Sequence, residues 1–232
     1  MRQLFFKREI MYFSGIISDA PEAFRICGKR QQKCAIVNEK NTIILEGSRD
    51  GTAGYCGRKG KSDRRDSAAG VAHREGIRHR TAHVWIFRRR GGVVQILLQK
   101  RSDNKDSDPG CYDISSAGHI PAGSDYIPSA VRELKEELGV DMNGDELIYC
   151  GQRRFRFERE FHGSMFCDNQ VSNVYALWLD REEEDFILQE EEVSGVRWMD
   201  FADCVSAVRE NRISHCIYME ELELLKNALH LH

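Results

Sequence analysis

Two β-favouring runs, HVWIFRR (residues 83–89) and VVQILLQKR (93–101), are separated by Gly91-Gly92. A Gly-Gly pair tolerates the positive φ angles that a tight two-residue turn demands, so the segment predicts an antiparallel hairpin and commits the chain to a sheet. Further elements follow. CYDISSAGH (111–119) reads as a short strand leading into a loop, and residues 125–138 have helical spacing. ELIYCGQRRFRF (146–157), QVSNVYALWL (170–179) and VSGVRWMD (193–200) read as strands; FADCVSAVREN and CIYMEELELLKNAL read as helices. Strands interspersed with helices predict an α+β fold, an α/β/α sandwich around a mixed sheet.

The first third has a different texture. One hairpin is expected within CAIVNEKNTIILEG (34–47), turning at Asn38–Asn41, and residues 47–70 are so rich in Gly, Ser and charge that they predict a loop or linker. Residues 1–70 are therefore set apart as an extension of unassigned role, and residues 71–232 as the main domain, C-terminal helices included. The eight cysteines form no CxxC pair, which suits a reducing compartment. The charged start at Lys7, Arg8 and Glu9 does not resemble a signal peptide, and no stretch has membrane-spanning length. A cytoplasmic location is expected. A net charge of −3 argues against a dedicated nucleic-acid binder.

The predicted helix carries chemistry. At about 100° per residue, Glu133, Glu136 and Glu137 share one sector, beside an apolar stripe of Ala130, Val131, Leu134 and Leu138. Asp125 is placed as N-cap, Pro128 in the first turn, and Gly139 just past the end. Three carboxylates on one face repel unless a cation sits among them, and hard ions such as Mg²⁺ prefer such oxygen ligands. The competing reading is a solvated acidic face.

The residues around this helix resemble a Nudix box, G-x5-E-x7-R-E-U-x-E-E-x-G-U, where U is aliphatic. Gly118, Arg132, Glu133, Leu134, Glu136, Glu137, Gly139 and Val140 match at the right spacing, and Ser124 stands where the pattern has its first glutamate. The resemblance, extending over about residues 81–200, implies the Nudix α/β/α sandwich and metal-dependent cleavage of a substituted diphosphate. It places Mg²⁺ or Mn²⁺ on Glu133, Glu136, Glu137 and the carbonyl of Gly118. Arg132 becomes a supporting residue, and Ser124 marks a gap in the supporting network.

AHREGIRHRTAHVWIF and SSAGHIPAG further resemble the branch that holds isopentenyl-diphosphate isomerases and their hydrolytic relatives. That likeness implies a second metal site on His73, His79 and His119, although a lone histidine is more often a surface or hydrogen-bonded core residue. His83 is expected to be structural. Two departures oppose isomerisation. Ala117 replaces the catalytic cysteine, and Gln170 falls where the isomerases use a glutamate; an amide is no general base. Asp168, on the same strand face as Gln170, is a candidate replacement acid. Glu190–Glu192 reads as a solvated loop, while Arg101 and Lys105, just before the box, are candidate phosphate contacts. The resulting expectation is a hydrolase acting by water attack on a small nucleoside diphosphate derivative or related organic diphosphate. A metal- and nucleotide-binding sensor with weak turnover is the main competitor. The last helix has apolar faces that suit either the core or a homodimer.

Overall fold

The computed structural model describes four short strands within the first 49 residues and, from Thr52 onward, every residue except Asp106, His162, Gly163 and His232. The chain divides into two compact units, Met1–Arg49 and Asp50–His232. In the first, β1 (Phe5–Lys7) pairs antiparallel with β2 (Ile10–Tyr12), and β3 (Cys34–Val37) with β4 (Ile43–Glu46). The second pair is the expected hairpin; its turn lies outside the described residues.

The second unit begins before residue 71. β5 (Thr52–Cys56) and β6 (Ser62–Ala68) form an antiparallel hairpin from the stretch read as loop or linker. The local composition misleads because β6 is largely exposed while Ala53 and Cys56 of β5 are buried. Gly54 supplies close approach here. Its N–H donates to Ile120 O at 2.8 Å, and a Cβ would stand 2.4 Å from that oxygen.

After α1 (Ala69–Glu75), β7 (His79–Arg90) turns into β8 (Val93–Arg101) at Gly91 and Gly92, whose φ angles are 56° and 82°. Arg90 pairs with Val93, giving the two-residue turn expected from the glycine pair. There follow β9 (Tyr112–Asp113), β10 (Ser116–His119), α2 (Tyr126–Leu138), β11 (Ile148–Phe161) and β12 (Ser164–Trp178). β13 (Val193–Asp200), α3 (Phe201–Arg209) and α4 (Met219–Ala228) complete the chain. Strands β5 to β13 form one nine-stranded mixed sheet in which β12 runs parallel to β7 and the other ladders are antiparallel.

β7 is buried on both faces because helices cover both. Its period-2 alternation sends Ala82, Val84 and Ile86 toward Ala130, Leu134 and Leu138 of α2. Trp85 and Phe87 point the other way, into a cluster with Cys204 of α3 and Leu222 and Leu225 of α4. Each large side chain so buried contributes roughly 1.5–3 kcal/mol. This is the α/β/α sandwich expected from the element pattern. No described helix is long and apolar enough to cross a membrane.

One charged group sits inside the second layer. Glu221 of α4 is 1% exposed and accepts hydrogen bonds from His83 Nδ1 (2.8 Å), Trp85 Nε1 (3.0 Å) and Arg153 Nη1 (3.2 Å). Burial pushes its pKa up, but His83, Arg153 and Trp85 outweigh burial and hold it below the ordinary glutamate value. A depressed carboxylate pKa stabilises the fold above the unfolded value of about 4.3, and that contribution is lost as pH falls through the folded value. Glu221→Gln is therefore expected to cost about 3–5 kcal/mol at neutral pH. Urea titrations of both proteins should show the gap narrowing below about pH 4.

Candidate functional site

Helix α2 forms as its sequence predicts. Asp125 accepts the Tyr126 N–H at 2.8 Å, and Gly139 adopts the left-handed region (φ 63°), its N–H turned back to Leu134 O and Lys135 O. Between these ends, the carboxylate face meets β10. Glu137 is buried, and its Oε2 accepts from Ser116 Oγ at 2.6 Å and from the Ala117 N–H at 3.3 Å. Burial drives its pKa up to about 8, with Glu133 and Glu192 pushing the same way and the two hydrogen bonds opposing. Burial also raises Glu133, against the pull of its ion-pair partner Arg132. Glu136 stays open to solvent, 3.9 Å from Arg132 Nε.

Gly118 is fixed by space. A Cβ there would stand 2.1 Å from Glu133 Cδ, so only glycine lets this carboxylate lie against β10. Arg132 also donates to His119 O at 3.3 Å, tying the helix to the strand end. The donor set suits a hard divalent cation. A cation would displace the proton that burial favours on Glu137 and relieve repulsion among neighbouring carboxylates.

Ser124 is exposed, and the loop before α2 is held by a residue that the box does not contain. Arg80 of β7 donates to Pro121 O at 3.0 Å and Ser124 O at 3.1 Å, with its guanidinium 5.6 Å from the Tyr126 ring. Nothing local in the sequence marks Arg80, because its partners lie more than 40 positions away.

A second cluster forms where α1, β7, β10 and β12 converge. The ligand atoms of His73, His79 and His119 lie within 4.8 Å of one another. Gly76, in the left-handed conformation, ends α1 and returns the chain so that His73 and His79 meet. Asp168 joins them, its Oδ1 being 3.6 Å from His79 Nε2 and 4.0 Å from His73 Nε2. His79 Nδ1 donates to Ile77 O at 2.9 Å, which leaves Nε2 with its lone pair directed at Asp168. Neither His79 Nε2 nor Asp168 Oδ1 has a hydrogen-bond partner among the described residues. Burial lowers His79 to about 4 and raises Asp168 to about 6, so at pH 7 a neutral imidazole faces a carboxylate anion. A buried lone pair and a carboxylate oxygen repel, and a cation between them removes the conflict. Three imidazoles and one carboxylate suit Mn²⁺, Fe²⁺ or Zn²⁺.

Three expectations change. Asp168, read as a replacement acid for Gln170, sits within the histidine cluster, and Gln170 donates to its Oδ2 at 2.7 Å. Arg101 does not face the carboxylates; its guanidinium holds Ser107 O and Asp113. Glu192 does not belong to a solvated loop. It pairs with Lys105 and is close enough to Glu133 and Glu137 to raise both. Burial, then His79 and His73, lower His119 most, and Lys105 adds to them. Only contacts across 87 positions reveal the Lys105–Glu192 pair.

A family model described as the NUDIX domain matches residues 77–217, more than half of the sequence. The chain belongs to this family. It is 44% identical over 138 residues to Nudix hydrolase 3 of Arabidopsis thaliana, covering 58% of this chain and 17% of that protein. It is 40% identical over 124 residues to an uncharacterized Nudix hydrolase of Clostridium acetobutylicum, covering 53% and 58%. The chain thus spans less than two thirds of either relative. A crystal structure from Deinococcus radiodurans aligns with a TM-score of 0.47 and 18% identity, covering 82% of this chain and 96% of that one.

The contact at Gly118 gives a direct test. Gly118→Ala should displace Glu133 and lower metal-dependent turnover about a hundredfold, the scale of an ångström-sized misplacement. Adding Glu133→Ala should restore the melting temperature but not turnover, as read by thermal melts and steady-state rates.

Proposed function

We propose that this protein hydrolyses the diphosphate linkage of a nucleoside diphosphate derivative or a related organic diphosphate. The observation that carries this reading is Glu137, a buried carboxylate with a raised pKa beside Glu133, Glu136 and Glu192 at the end of β10. Glu133, Glu136, Glu137 and the Gly118 carbonyl would hold Mg²⁺ or Mn²⁺. A bound cation there neutralises developing charge on phosphoryl oxygens and makes an attacking water more acidic.

The chain's own residues set the geometry. Ser116 and the Ala117 N–H fix one oxygen of Glu137, and Arg132 fixes Glu133. Lys105, between Glu192 and His119, is the cation best placed to meet a diphosphate; a phosphate arriving there would compete with Glu192 for it. The histidine cluster with Asp168 would take a second divalent ion on the opposite side of β10. Hydrolysis is favoured over isomerisation because Ala117 and Gln170 provide neither thiol nor carboxyl for proton transfer to carbon.

A screen of diphosphate compounds with Mg²⁺ or Mn²⁺, following phosphate or nucleotide release, tests the proposal. Glu136→Gln and Glu137→Gln should each lose at least about a hundredfold in kcat on whichever substrate is cleaved. Turnover equal to wild type in both variants would contradict the mechanism. Metal-dependent nucleotide binding without product over long incubation would favour the sensor reading instead.

A further inference from the structure

Gln170 looks like a loss when compared with a carboxylate at the same place, but its surroundings give it a defined task. The amide is pinned at both ends. Its Nε2 donates to Asp168 Oδ2 at 2.7 Å, while the hydroxyls of Thr81 and Ser172 approach its Oε1 at 3.3 and 3.4 Å. Turning the amide over would set Oε1 against the Asp168 carboxylate, an acceptor against an acceptor, so that contact fixes the orientation.

The chain of contacts continues inward. Thr81 Oγ1 lies 2.7 Å from Ser172 Oγ and 3.2 Å from His83 Nε2. His83 Nδ1 donates to Glu221 Oε1 at 2.8 Å, and the same carboxylate is gripped by Trp85 and Arg153. Thr81, His83, Ser172 and Glu221 are all buried, so none of these contacts competes with bulk water. The strand register explains how they meet. Gln170 pairs with His79 and Ser172 with Thr81 across the parallel ladder of β12 and β7, which places their side chains on one face.

The division of labour on Asp168 follows. Oδ2 is tethered by Gln170, which leaves Oδ1 directed at His79 and His73. We propose that Gln170, oriented by Thr81 and Ser172 and anchored through His83 on Glu221, is the positioning residue that aims Asp168 into the three-histidine cluster. It lies outside the ligand set and fixes one ligand, as hydrogen-bonded partners of metal ligands do elsewhere. The inference rests on the reading that this cluster binds a divalent ion. Helix α4 thereby acts on that centre through side chains on the same face of the sheet.

Co²⁺ titration of the full, chelator-treated chain tests the proposal, because the visible bands of Co²⁺ report ligand number and geometry. Wild type should bind with a visible spectrum that His79→Ala abolishes. Gln170→Ala should bind about 10–100-fold more weakly, with shifted bands. Thr81→Val keeps the shape of the side chain but removes the hydroxyl, and should weaken binding by a smaller factor. Thr81→Ser, which restores the hydroxyl, should recover both affinity and spectrum. That recovery separates positioning from a packing defect, and melts of the metal-free proteins check that each variant folds. Wild-type affinity and spectrum in Gln170→Ala and Thr81→Val, with His79→Ala still defective, would overturn the positioning role alone. No Co²⁺ spectrum in wild type would overturn the metal reading of the cluster and the positioning role with it, while diphosphate hydrolysis at α2 would stand or fall separately.

Discussion

Glu137 is a carboxylate placed where water cannot solvate it, and much of the second unit is arranged around that placement. Burying an ionised carboxylate costs several kcal/mol unless hydrogen bonds or cations compensate. Ser116 and the Ala117 N–H compensate only in part, since the pKa remains near 8. The helix that presents Glu137 must lie flat against β10, which requires glycine at 118, and must keep its apolar stripe on Ala82, Val84 and Ile86. The loop between them is held by Arg80 through two backbone carbonyls, so an exposed serine at 124 is sufficient there. A carboxylate-rich face is thus assembled from packing constraints that are visible one by one.

β10 and β7 also separate two different ligand environments. On the α2 side the donors are carboxylates, which suit a hard ion. On the α3–α4 side they are three imidazoles and one carboxylate, which suit a transition ion. Strand alternation produces this division: Arg80 and Ala82 face one layer, while His79, Thr81 and His83 face the other. Lys105 and Arg132 reach from the carboxylates toward His119, so a charge change on one side is felt on the other.

Most of the fold was legible in the sequence because its signals are local. Gly91-Gly92 announced the β7–β8 turn, Asp125 and Gly139 bracketed α2, and period-2 runs marked β11, β12 and β13. Residues 52–68 were misread because a polar, glycine-rich edge hairpin has the composition of a loop. In the site, helical spacing singled out Glu133, Glu136 and Glu137, and the resemblance to a known family supplied the other box residues and the three histidines. The roles of Asp168, Arg80 and Glu192 could not, since each depends on partners brought together by tertiary structure. Arg101 shows the converse: a basic residue near the box whose donors are spent on its own loop.

Two cation sites with distinct ligands are proposed for this fold, one on α2 and one on the histidine cluster. Mn²⁺ electron paramagnetic resonance on wild type, Glu137→Gln and His79→Ala tests this proposal most directly by counting bound ions. Two Mn²⁺ per chain are expected in wild type, with each variant losing a different one. Full stoichiometry in both variants would contradict it.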